Sequence, residues 1–109
     1  MSRKKVRELP ESLDLPCTGA DSHAHLDGRD FDPLEVLARA RTCGVRTVGN
    51  VFLEPAAYHA SRAVFEADRD VFFLLGVHPH EASSMTGTDL EAMRRAFRTD
   101  GRLKAVGEI

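Results

Sequence analysis

Apolar residues along this chain fall into short runs, separated by stretches in which they recur every three or four positions. The segments "VRTVGNV" at 45–51 and "VFFLLGV" at 71–77 are rich in β-branched or aromatic residues and short enough for strands. The second is apolar throughout, as a strand covered on both faces would be. "TGADSHAHL" at 18–26 and "LKAVGEI" at 103–109 have the same character in weaker form. Between these runs the period becomes helical. Asp32, Pro33 and Glu35 make a helix start, with a cap residue, a proline at the first helical position and a carboxylate close behind. Leu34, Leu37 and Ala38 follow, and Gly44 is the stop. A second helix begins near Pro55 and carries Ala56, Ala60, Ala63, Val64 and Ala67 on one stripe. Thr88 and Glu91 repeat the capping pattern before Leu90, Met93 and Phe97, and Gly101 closes the third helix.

Strands starting at about 19, 45, 71 and 103, alternating with helices, predict parallel strands joined by right-handed crossovers. The fold class is α/β, either a small open sheet or the first half, about four strands, of a (β/α)8 barrel; a whole barrel takes about 250 residues. The last run stops two residues after a glycine, inside what reads as a core strand, and on that ground the chain is expected to be truncated. Residues 1–17, with "RKKVR" followed by the proline-spaced "ELPESLDLP", read as a leader or linker, and 18–109 as the half-barrel.

Composition adds limits to this picture. A chain of 109 residues, 42% hydrophobic and 29% charged, can bury one modest core. Its net charge of -2 gives no general attraction to nucleic acid or to an anionic membrane, so any phosphate must be bound by a local site. The basic block is expected to be a solvated tail. No apolar run follows it as in a signal peptide, and none approaches the ~20 residues of a membrane span, so a cytoplasmic location is expected. Cys17 and Cys43 are too few for a disulfide framework and too far apart for a Cys-x-x-Cys metal knuckle, and read as buried or idle thiols.

Candidate chemistry gathers where the strands end. In "DSHAHLD" at 21–27, strand alternation points Asp21, His23 and His25 one way, with the small Ser22 and Ala24 facing the covering helices. Two imidazoles on one face can reach a single metal ion; an isolated His-x-His is also compatible with a polar, hydrogen-bonded strand end. The third strand runs into "GVHPHE", with His78, His80 and Glu81 just past its end, and the fourth into "VGEI", with Glu108 at the same level. Parallel α/β folds keep their sites on that side, and three strand ends in register favour a metal centre. His23 and His25 are first-choice ligands. Glu108 is suited to bridge two ions, and Gly107 before it either permits close backbone approach or marks a bend. His78 and His80 flank Pro79 and are read as substrate contacts or hydrogen-bonded loop histidines ahead of direct metal ligands. Asp21 either orients a histidine ligand from behind or ends the strand by bonding to backbone. Asp27 belongs to the loop, and Asn50 is placed to line the pocket. His59 is read as a solvated or packed helix residue, and Arg94, Arg95, Arg98 and Arg102 as a wet helix face rather than a phosphate clamp. Neither a phosphate-binding Gly-rich loop nor a nucleophilic serine motif is present.

Taken together, "DSHAHLD", "GVHPHEA" and "AVGEI", in that order and spacing, resemble the amino-terminal half of the TatD family of metal-dependent deoxyribonucleases, over residues 19–109. The resemblance implies an amidohydrolase-type (β/α)8 barrel with two divalent ions, Mg, Mn or Zn, at its C-terminal mouth. By that likeness His23 and His25 bind the first ion, Glu108 bridges both and is the catalytic carboxylate, and His78 and His80 line the pocket or contact phosphate. The family's usual continuation after the bridging glutamate, and its later histidines and aspartate, have no counterpart in these 109 residues. The implied chemistry is hydrolysis of DNA phosphodiesters, in the manner of a 3'-exonuclease, by an ion-activated water. Two alternatives stay open: an amidohydrolase-type enzyme for another ester or amide, and a non-catalytic metal-binding fragment that pairs with a partner chain or its own copy through open sheet edges.

Overall fold

A computed structural model describes residues 5–14, 16–28 and 30–109. The basic block at 3–7 lies partly outside them. Four parallel strands form one sheet in the order β1-β2-β3-β4, where β1 is Gly19–Ala24, β2 Val45–Phe52, β3 Val71–Leu75 and β4 Leu103–Val106. The α-helices alternate with them: α1 Pro33–Thr42, α2 Pro55–Ser61, continued by a 3-10 turn Arg62–Phe65, and α3 Gly87–Thr99. A second 3-10 segment, Pro79–Ser84, follows β3, and a third, Pro10–Ser12, precedes the sheet. This is an α/β chain with the arrangement of the first four strands of a (β/α)8 barrel, and each strand begins where the change of period placed it. No helix among the described residues is long and apolar enough to cross a membrane.

Right-handed crossovers between successive neighbours put all three helices on one face of the sheet. Leu37 of α1, Tyr58 of α2, Phe65, and Met93 and Ala96 of α3 close there over Val48, Phe52, Val71, Phe73, Leu75 and Leu103. Phe52, Phe65, Phe73 and Leu75 are wholly buried; burial of such side chains stabilises by about 1.5–3 kcal/mol each. Phe52 meets Tyr58 and Phe73 edge-on, at centroid distances of 5.5 and 5.3 Å. Contrary to expectation, β3 is not equally covered on its two faces: Val71, Phe73 and Leu75 are buried, whereas Phe72 and Leu74 on the other face are half-buried.

Local signals explain most element ends. Asp32 caps α1 by accepting from the Leu34 N–H, Pro33 takes the first position, and Gly44 leaves the helix at φ +88°, a conformation costly for any residue with a Cβ. The cap of α3 is not the expected Thr88 and Glu91 pair but lies two residues earlier. Thr86 and Asp89 bond to each other's backbone in a full capping box. In α2 the expected stripe of Ala56, Ala60, Ala63, Val64 and Ala67 faces solvent, while Pro55, Tyr58 and Phe65 are buried. The larger side chains take the core because they remove more apolar area from water, and the 3-10 continuation alters the period.

The N-terminal ends of β3 and β4 are held by polar contacts. Asp100, just before β4, is buried and accepts from the Tyr58 hydroxyl at 2.5 Å, from Arg62 at 3.0 and 3.2 Å, and from the Arg102 N–H at 3.0 Å. Burial opposes its ionisation, but these donors outweigh that cost and hold its carboxyl below the ordinary carboxylate range. Burial, then the bond to Asp100, push the Tyr58 phenol up to about 12. Arg102 is not part of a wet helix face. It lies beyond α3, where its guanidinium donates to the carbonyls of Phe65 and Val71 at 2.7–3.0 Å and of Asp68, and sits 4.6 Å from the Phe73 ring centroid. Arg94, Arg95 and Arg98 are exposed.

Candidate metal centre

At the opposite, C-terminal ends of the strands, β1 departs from simple alternation. Asp21 pairs with Val48 and Ala24 with Asn50, so three steps on β1 span two on β2, a bulge of one residue. Paired residues share a face, which places Asp21 and Ala24 on the helix side with Val48 and not with His23, correcting the alternation expected for Asp21. Of the two roles open to Asp21, the geometry has the backbone one: its carboxylate accepts from the His23 N–H at 3.0 Å.

His25 lies one residue past β1. Its Nδ1 is 3.1 Å from the Val51 carbonyl oxygen, which only accepts, so in the neutral ring the proton is on Nδ1 and Nε2 carries the lone pair. That Nε2 faces Glu108 Oε2 at 3.6 Å, and His23 Nε2 faces the same oxygen at 3.3 Å. One donor atom from each of His23, His25 and Glu108 lies within 4.8 Å of the others. His78 reaches the second carboxylate oxygen, its Nε2 being 3.5 Å from Oε1. Its Nδ1 accepts from the His80 N–H at 3.1 Å, so in the neutral ring the Nε2 bears the proton and donates toward Glu108. His80 stands edge-on to His78, at a centroid distance of 4.6 Å, and makes no contact with Glu108 among the described ion pairs.

Asn50 does not line the pocket. It is wholly buried below it, where Oδ1 accepts from the Leu26 N–H at 2.6 Å and Nδ2 donates to Asp27 at 3.3 Å. Two adjacent residues of β2 thus hold the His25 loop: Asn50 fixes its backbone and Val51 its ring. Second contacts of this kind orient metal-binding histidines. Sequence reasoning missed Val51 because its contribution is a carbonyl oxygen, which any residue type supplies. An open hollow of about 400 Å³ lies against Leu53, Glu54, His78, His80 and Glu81. With two carboxylates on its wall, it suits an anion only if cations supply the opposing charge. Gly107 is not the position of closest approach, since a Cβ there would meet Leu74 at an ordinary 3.9 Å.

A lone pair on His25, a second imidazole and a carboxylate converging on one point repel one another unless a cation or proton lies between them. The donor set fits a divalent ion of the Zn, Mn or Mg kind, and three protein donors leave coordination positions open, as catalytic metals require. A parallel α/β sheet with such a triad at its C-terminal mouth has the arrangement expected of a metal-dependent hydrolase built on barrel-type units. The sequence matches the family described as TatD related DNase over residues 20–109, and the chain belongs to that family. No curated protein matches it.

Proposed function

We propose that this chain supplies the first part of the metal centre of a deoxyribonuclease that hydrolyses DNA phosphodiester bonds, removing nucleotides from 3' ends. The observation that carries this reading is the convergence of His23, His25 and Glu108, with the Nε2 lone pair of His25 aimed into the triad by the Val51 carbonyl. His23 and His25 would hold one ion. Glu108 would be both ligand and catalytic carboxylate, since its Oε2 faces His23 and His25. Bound divalent ions supply charge that orients a phosphate, lowers the pKa of a water and stabilises a leaving oxygen. The chain's own residues do the rest. Nε2–H of His78 can donate to a phosphate oxygen, and His80 extends the polar wall of the same hollow. Asn50 holds the ligand loop through the Leu26 N–H.

The test is release of nucleotides from 3'-labelled DNA with Mn2+, Mg2+ or Zn2+, beside a double variant His23→Ala, His25→Ala. Where the remaining strands of the barrel complete the centre, metal-stimulated release from the labelled end, lost in the variant, is expected. Release that persists in the variant, or that survives chelation of divalent ions, would contradict the reading.

A further inference from the structure

Glu108 stands beyond the last paired residue of β4, yet its carboxylate is within 3.3–3.6 Å of three imidazoles from two other strand ends. Something must hold the segment after Val106 in place. The Gly107 N–H donates to the Leu75 carbonyl at 3.2 Å, which brings the 107–108 peptide over the residue that follows Leu75. That residue is Gly76, and it is buried. A Cβ added to Gly76 would lie 2.8 Å from the Gly107 carbonyl carbon, 2.9 Å from the Gly107 oxygen and 3.0 Å from the Glu108 oxygen. All three are backbone atoms, which cannot swing aside as a side-chain tip can.

The two sides of this contact are unequally anchored. Gly76 is tied to β2 through its N–H and the Phe52 carbonyl at 3.3 Å, and His78 is tied through its N–H and the Leu53 carbonyl at 2.9 Å. The 107–108 segment has one such bond and is followed by an exposed Ile109. A methyl group at position 76 would therefore displace Glu108 rather than β3. We infer that Gly76 is a positioning residue: its missing side chain sets the seat of the Glu108 carboxylate against His23 and His25. This rests on the reading of Glu108 as a ligand but is separable from it.

A double-mutant cycle of Gly76→Ala and Glu108→Gln tests the inference, with two readouts on the full chain: Zn2+ affinity by calorimetry, and the imidazole Cε1–H NMR signals of His23 and His25 without metal at one fixed alkaline pH. In the unaltered background Glu108→Gln moves both ring signals and weakens Zn2+ binding about tenfold or more, the effect expected when a group orienting or ligating a metal is lost. In the Gly76→Ala background it changes neither, because the carboxylate has already left its seat. Equal effects in both backgrounds would overturn the inference, since a residue serving stability alone gives additive changes. Coupled ring signals with no Zn2+ uptake by any form would uphold Gly76 and count against the metal reading instead. Should Gly76→Ala fail to fold, the unaltered chain still decides: nuclear Overhauser contacts from the Gly76 Hα protons to the Glu108 backbone are expected, and their absence would overturn the inference.

Discussion

The two ends of this one sheet are built on opposite principles. At the N-terminal ends of β3 and β4, buried polar groups are matched to partners. Arg102 closes over three carbonyls, and Asp100 collects Tyr58, Arg62 and a backbone N–H. At the C-terminal ends the polar side chains face one another across gaps of 3.3–3.6 Å, and His23, His25 and Glu108 keep 53%, 43% and 39% of their side chains exposed. The first end spends its polar groups on holding strands and helices together. The second leaves lone pairs unmatched, which is what a cation site requires and what stability alone would not select.

The comparison is broken most severely at Arg102. Arg102→Ala leaves the Phe65, Asp68 and Val71 carbonyls without their charged donor, and a loss of about 3 kcal/mol in urea unfolding is expected. Metal affinity of the molecules that remain folded should not change, because the residue lies at the other end of the sheet. A smaller effect, about 1–2 kcal/mol at neutral pH, is expected for Tyr58→Phe, which removes one donor from Asp100. This variant also sharpens the comparison through pH. A phenol raised to about 12 in the folded state contributes stability that is fully present below its unfolded value of about 10 and is lost as pH rises through the folded value. The native chain should therefore weaken between about pH 10 and 12, and Tyr58→Phe should flatten that decline. The depressed carboxyl of Asp100 works at the other limit, its contribution being present above the unfolded value of about 3.9 and lost as pH falls through the folded one.

The same contrast explains what could be read from the chain. Strand starts, the Asp32 and Pro33 entry to α1 and the Gly44 exit were legible because each depends on a local period or a single residue's backbone preference. The α3 cap was misplaced because "TGTDLE" contains two overlapping cap patterns, and local sequence does not choose between Thr86 and Thr88. In α2 a run of alanines fits either face, so the choice fell to Tyr58 and Phe65, whose partners Phe52 and Phe73 lie on the sheet. Arg102 was grouped with the arginines of α3, although its acceptors belong to the approach to β3, more than 30 residues earlier. At the other end, the grouping of His23, His25, His78 and Glu108 was legible because parallel strands finish on one side. The β1 bulge that turns Asp21 away, and the seat that Gly76 gives Glu108, depend on distant backbone and leave no local trace.

The smallest stability change should come from the site itself, and it belongs to the most direct test of the account. Zn2+ or Mn2+ is titrated calorimetrically into the native chain and into the double variant His23→Ala, His25→Ala, with urea unfolding of both in the absence of metal. Binding by the native chain, abolished in the variant while metal-free stability falls by no more than about 1 kcal/mol, is the predicted result. Equal binding by the two chains would contradict it, as would a variant destabilised as severely as Arg102→Ala, for then the histidines would be serving the fold and not a metal.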